Sequence, residues 1–388
     1  MEFGFTQEQD LIRTQAAEFL KNECPLSLVR ELMNDGRGFS DALWSKMAEV
    51  GWMGLAVSQD YGGEGLSFVE LTVVLEEMGR HLVPGAYFST AVLAGSVLTE
   101  LASEEQKNRW LRPLANGDLR ATLALTETSA VWSVSGVRLT AERRGRDFVL
   151  SGTKLFVPDA EVADLLLCVA RTAGSWTPDQ GVVVLAVDLE SPGLTVTALN
   201  TMDQTRRLYE VSFDHVRVPA DCLLGREDDA TATIEKVIDK AAIGLCAEMA
   251  GGAAAVLEMS VDYSKSRTQF GRPIGSFQAI QHKCADMLLL VESSRSATYA
   301  AAWAASQQRA QLGLAASIAK AYTSDAYCKV AAEAIQIHGG MGFTWEHDVH
   351  LYFKRARADA VTFGDTSFHR ERIAGLAGLV AGGEGAAS

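Results

Sequence analysis

Three stretches of the chain hold residues whose types and spacing could do chemistry. In "YSKSRTQFGRPIGSFQAIQH", Tyr263 to His282, Arg267 and Arg272 flank "QFG" at the end of a helical run, and Gln278 opens the next. Guanidinium groups beside a glycine turn and a fresh helix N-terminus can hold a phosphate or pyrophosphate. Arginines there can equally just complement the helix dipole. In "AIQIHGGMGFTWEHDVHLYF", Ala334 to Phe353, a helix ends at Gly339 and Gly340. Paired glycines admit a ligand or another backbone at close range, or simply stop the helix before an aromatic core contact. In "AVTFGDTSFHRER", Ala360 to Arg372, Gly364 is followed by Asp365 near the end of a long helical region. That carboxylate is a candidate proton acceptor, or the N-cap of a helix beginning at "SFHRERIAGL".

The elements that must position these stretches fall into three textures. Up to residue 118 apolar residues recur at three- and four-residue intervals, as in "IRTQAAEFL" and "FVELTVVLEEMGRHL", with Thr6 and Gln9 spaced as a capping box. Residues 119–229 change to short runs rich in Val, Leu, Thr and Phe, separated by turn signals at "TPDQG" and Ser191–Gly193, and predict a β domain of six to eight strands. From 230 to 388 the chain is alanine-rich and helical again, with long stretches over 231–267, 276–308 and 313–338 and a tail, "AGGEGAAS", expected to be flexible. The expected fold is therefore a multi-domain α+β chain: N-terminal helices, a middle β-barrel or sandwich, and a C-terminal helical bundle.

Composition limits the partners. The 388 residues exceed what one hydrophobic core usually holds, and 48% apolar with 22% charged is ordinary for a globular protein. A net charge of −14, with 35 basic residues and no basic cluster, argues against nucleic acid. The cysteines, Cys24, Cys168, Cys222, Cys246, Cys284 and Cys328, are widely spaced and suggest no zinc site. The first twenty residues lack the basic start and apolar run of a signal peptide, and no segment is expected to approach the ~20 apolar residues of a membrane span. A cytoplasmic location is expected.

Taken in order, "RTQFGRPIGSFQ", "QIHGGMG" and a β domain opening near "LTE" resemble the acyl-CoA dehydrogenase family along nearly the whole chain. The resemblance implies FAD lying between the β domain and the C-terminal bundle and completed by a neighbouring subunit. By motif match, Arg267, Phe270 and Gly271 would reach the FAD diphosphate across the interface, with Gln278 close to the cofactor. Gln336, Gly339 and Gly340 would line the adenosine side, and Thr366, Thr126 and Phe156 would also lie by the cofactor. In this family a carboxylate removes the α-proton of an acyl-CoA while the β-hydrogen leaves as hydride to the flavin. The thioester carbonyl is polarised by the backbone N–H of the base residue and a ribityl hydroxyl, and electron-transfer flavoprotein is the expected acceptor.

The chain departs from the family where the base belongs. Family members commonly read tyrosine-glutamate-glycine-threonine; here the run is Phe363-Gly364-Asp365-Thr366, which puts Gly364 at the base position. An alternative family position matches Ala241, equally without a carboxylate. Glu248 is about 10 Å further along that helix, and Asp239 points to roughly the opposite side. The β domain departs too, with Thr126-Glu127-Thr128-Ser129 replacing the usual flavin loop and Pro158 offering neither hydroxyl nor N–H to a flavin edge. Three readings follow: a subunit of a heteromeric acyl-CoA dehydrogenase for bulky, including steroid-type, CoA thioesters whose second subunit brings the base; a self-sufficient homotetramer using Asp365; or a non-redox acyl-CoA-binding or structural subunit. His338 is expected to be structural, and His347, His350 and His369 receive no role.

Overall fold

The helical periodicity of the first and last thirds and the strand-like middle each become the expected kind of element in a computed structural model. It describes residues 5–172, 174, 180–227, 230–307 and 310–379. The tail, and Thr177 to Asp179 of the expected "TPDQG" turn, lie outside the described residues. The helices are α1 (Gln7–Glu23), α2 (Leu26–Asn34), α3 (Asp41–Glu49), α4 (Phe68–Arg80), α5 (Gly95–Leu101), α6 (Glu104–Gln106), α7 (Arg112–Asn116), α8 (Thr231–Ser266), α9 (Gln278–Ser306), α10 (Leu312–His338), α11 (Val349–Val361) and α12 (Thr366–Leu376). The strands are β1 (Ala121–Ala124), β2 (Thr140–Arg144), β3 (Asp147–Pro158), β4 (Leu165–Thr172), β5 (Val182–Asp188), β6 (Leu194–Ala198), β7 (Leu208–Val218), β8 (Leu223–Leu224), β9 (Thr268–Gln269) and β10 (Arg272–Pro273). Thr6 and Gln9 form the capping box read from the sequence. The chain divides into two compact units, one of residues 27–67 and 84–241, the other of 1–26, 68–83 and 242–388, with the division falling inside α8.

In the first unit, one eight-stranded sheet runs β6-β7-β3-β2-β4-β5-β8, with β1 parallel to β4. Strands β4 and β5, "LLLCVART" and "VVVLAVD", are buried along almost their whole length, as continuous apolar runs predict, whereas β6 is an exposed edge. The pairing of β3 with β7 shifts register between Lys154 and Val157. Phe156 sits within that bulge at φ 55°, so the irregularity re-aims its side chain.

In the second unit, α9 packs on α10 and α4, and α10 also carries α11 and α12. Helix α8 crosses α4 at Gly251 and Gly79: a Cβ on either glycine would collide with the opposing backbone, at Glu76 and Glu248 respectively. The small residues of α8 thus permit an approach larger ones would forbid. The expectation that no segment reaches membrane-span composition is corrected here, since an 18-residue window of α8 has a mean hydropathy of 1.4. That window is 89% buried within the protein, which accounts for its apolarity as core helix.

Candidate functional site

After α8 the chain reverses within a few residues. Strands β9 and β10 pair Gln269 with Arg272, leaving Phe270 and Gly271 as a two-residue hairpin turn. Both adopt positive φ, 53° and 78°, as tight hairpins require. For a phenylalanine this conformation is strained, and such strain clusters at ligand sites. The Phe270 ring is 92% exposed. Arg267 and Arg272 are exposed beside it, and Gln278 starts α9 where no side chain caps the helix N–H groups.

One turn before Arg267, Tyr263 stacks on His338 with ring centroids 4.5 Å apart, which joins the hairpin's root to the end of α10. His338 is buried and its Nδ1–H donates to the Ala334 carbonyl at 2.8 Å. Burial lowers its pKa, so it is neutral and structural here. Gly339 follows at φ 59° and ψ −136°, a conformation only glycine adopts readily. A Cβ at Gly271, Gly339 or Gly340 would meet nothing within 4 Å. With Gln336, Met341, Phe343 and Trp345 also exposed, this end of the unit is an open shelf of glycine backbone, aromatic rings and guanidinium groups.

The turn between α11 and α12 is built the opposite way. Phe363 and Gly364 have φ of 58° and 102°. The Phe363 carbonyl accepts Nε2–H of His369 at 2.9 Å, and the Gly364 carbonyl accepts from Lys320 Nζ at 3.0 Å. Lys320 also donates to the Ala360 carbonyl at 3.1 Å and Ser324 Oγ at 3.0 Å. Both side chains are buried. Desolvation lowers the Lys320 pKa and pulls that of His369 down to about 4, with the Lys320 charge acting in the same direction on the imidazole. A Cβ at Gly364 would collide with Phe368 Cδ1 and lie 3.0 Å from His369 Nε2. Gly364 is a buried residue, and its N–H has no protein acceptor among the described residues. Buried amides without an acceptor are rare in native proteins, so this one is a donor held in reserve.

Asp365 is engaged elsewhere, its Oδ1 accepting the Phe368 N–H at 2.8 Å as the N-cap of α12. Thr366 donates its hydroxyl to Asp325 at 2.8 Å. Ala241, Asp239 and Glu248 are all buried on α8. Lys320 and Gly339 are 19 residues apart in sequence with α10 between them, so the base-position turn and the glycine shelf are separated by about 28 Å along that helix.

In the β unit, Thr126 is buried and its carbonyl accepts the Leu155 N–H at 2.8 Å. Glu127 beside it accepts Lys154 Nζ at 2.7 Å and the N–H groups of Arg138 and Leu139 at 2.9 Å, so the loop that departs from the family is anchored internally. Its continuation is held by Glu235, which accepts from Ser133 Oγ and the Val134 N–H, both at 2.9 Å. Pro158 pairs with Leu208 at the end of β3 and presents no N–H.

Models of the acyl-CoA dehydrogenase N-terminal, middle and C-terminal domains match residues 6–118, 122–216 and 231–376. The chain belongs to the acyl-CoA dehydrogenase family. It is 32% identical to an acyl-CoA dehydrogenase of Bacillus subtilis, over 94% of this chain and 96% of that one. It is also 32% identical to acyl-CoA dehydrogenase IpdE2 of Mycobacterium tuberculosis, over 91% and 92%. A solved structure described as a Tcur3481-Tcur3483 steroid ACAD variant, with a glycine-to-alanine change, superposes with a TM-score of 0.85 at 29% identity, covering 96% of this chain and 98% of that one. Its family is one of FAD-dependent oxidoreductases acting on CH–CH bonds of acyl-CoA thioesters.

The acyl-CoA dehydrogenase residues of the C-terminal unit fit that cofactor. The open space over Gly271, Gly339 and Gly340 is a cradle that any side chain would fill, and Arg267 and Phe270 offer charge and ring surface to a diphosphate and its neighbours. Lys320, His369 and Phe368 are the residues the sequence reading misses. A lone lysine in "AASIAKAYT" resembles a side chain that reaches solvent, and nothing in the spacing of His369 points to a carbonyl six residues back.

Proposed function

We propose that this chain is one subunit of a heteromeric FAD-dependent acyl-CoA dehydrogenase, in which it polarises a thioester carbonyl and a second subunit supplies the proton-abstracting carboxylate. The observation that carries this reading is the Gly364 turn: no side chain at the base position, and a buried N–H left without an acceptor. FAD, when bound, supplies the hydride acceptor; Arg267, Phe270, Gly271, Gln278, Gln336, Gly339 and Gly340 would hold it across the subunit interface, and Thr366 and, in the β unit, Thr126 and Phe156 are assigned cofactor contacts of their own. The separation of about 28 Å between the two turns supports sites shared across a subunit interface. The steroid ACAD likeness favours a bulky acyl group, such as a steroid side chain, as substrate. We assign the complex to the cytoplasm, with electron-transfer flavoprotein as acceptor.

Asp365 as a base in a homotetramer is disfavoured because that carboxylate already caps α12. Co-expression with the neighbouring gene product is the test. The complex is expected to contain flavin and to oxidise acyl-CoA, and the chain alone to be inactive. Activity from the chain alone, abolished by Asp365→Asn, would support the homotetramer instead; a flavin-free complex would support the non-redox subunit.

A further inference from the structure

The Phe363 carbonyl and the Gly364 N–H belong to one planar trans peptide and therefore point in opposite directions. Whatever fixes one aims the other. His369 fixes the carbonyl: its Nε2–H donates at 2.9 Å from a ring that is 1% exposed. Its Nδ1 is buried without a partner among the described residues, so this bond sets the ring's proton on Nε2. The next carbonyl, of Gly364, is held by Lys320, so the peptides on both sides of the Gly364 Cα are tethered. We propose that His369 is a positioning residue for catalysis, holding the Phe363–Gly364 peptide so that the Gly364 N–H meets the oxygen of an acyl-CoA thioester. The inference rests on the carbonyl-polarising role proposed for this chain.

The role suits a neutral imidazole. A hydrogen bond to the carbonyl polarises the shared amide and strengthens its N–H as a donor, and the buried neutral ring supplies that bond and fixes orientation without adding charge. Phe368 lies where a Gly364 side chain would go and Lys320 occupies the Gly364 carbonyl, which leaves the N–H as the polar group Gly364 can present.

The test uses the complex of both subunits, loaded with FAD, and cinnamoyl-CoA isotope-labelled at the thioester carbonyl, a conjugated thioester that cannot be desaturated at that bond. Infrared difference spectra report carbonyl polarisation as a shift to lower frequency. Two variants of this chain are compared with wild type: His369→Gln, whose amide nitrogen can take the place of Nε2, and His369→Met, which fills the space without a donor. The shifted band is expected in wild type and His369→Gln and lost in His369→Met. With an oxidisable acyl-CoA, His369→Met is expected to lower kcat by about 10²-fold, the lower end for an oxyanion donor, with flavin content unchanged. A shifted band that survives in His369→Met would overturn the inference while leaving the subunit's role intact. A wild-type band that is unshifted, or identical when this chain carries Gly364→Pro and so lacks the N–H, removes that role and the inference with it. Should His369→Met fail to assemble, His369→Leu, which also fills the space without a donor, takes its place: loss of the shifted band would support the proposal and its retention would overturn it.

Discussion

Two turns follow two helices of the same unit, and each contains a glycine at positive φ: Gly339 after α10 and Gly364 after α11. Around Gly339 the space a side chain would take is open, whereas around Gly364 it is filled by Phe368 and His369. A buried histidine accompanies each turn, His338 donating to the Ala334 carbonyl within α10 and His369 to the Phe363 carbonyl of the second turn itself, and the second turn is also tied to a buried ammonium group. Glycine therefore serves opposite purposes in the two places. In the first it makes room for a ligand, and in the second it makes room for the protein's own side chains and leaves only backbone to offer.

The sharpest way to break this contrast is to remove the ammonium group. Lys320→Met is expected to destabilise the protein by about 4 kcal/mol, because it leaves the buried Gly364 carbonyl and the partly buried Ala360 carbonyl without that donor. Thermal unfolding reads this directly, and a loss below about 1 kcal/mol would show that the carbonyls have other partners.

A slightly smaller effect comes from pH. His369 has its pKa lowered to about 4, from an ordinary value near 6.5. The unfolded chain thus binds the extra proton first as pH falls, and stability drops between about 6.5 and 4, by roughly 3 kcal/mol in total. Below both values the loss is complete. Denaturant unfolding across that range should show a smaller slope in His369→Gln than in wild type; equal slopes would contradict the burial argument.

Substitution of the glycines separates space from strain. Gly364→Ala is expected to cost about 3 kcal/mol, from positive φ and overpacking against Phe368, and Gly339→Ala only about 1 kcal/mol, from strain alone. In a Phe368→Ala background the cost of Gly364→Ala should fall to about that of Gly339→Ala. No change in that background would mean that the ring does not close the slot. The smallest stability effect belongs to Phe270→Ala, within about 0.5 kcal/mol because the ring is exposed, yet flavin retention on gel filtration should decline.

Much of this architecture was legible beforehand, because period and texture are local properties. Thr231 opens α8 and His338 closes α10 where periodicity and paired glycines indicate. The Phe270–Gly271 hairpin could be located from "QFGRP", although its strained phenylalanine could not. What stayed hidden depends on contacts distant in sequence or on the exact turn geometry. Lys320 reaches a carbonyl 44 residues away, and Phe368, only four residues on, meets Gly364 because of the positive-φ turn before α12. The α8 window shows the same limit from the other side, since its hydropathy alone cannot distinguish a membrane span from a helix buried in a bundle.

The central claim is that this chain polarises a substrate carbonyl but cannot take the α-proton. Exchange of the α-hydrogen of an acyl-CoA in deuterated water measures proton abstraction without requiring oxidation. Flavin-loaded chain alone is predicted to give no exchange above the buffer rate, and the two-subunit complex to give rapid exchange that disappears when the partner's carboxylate is replaced by an amide. Exchange catalysed by this chain alone would contradict the account.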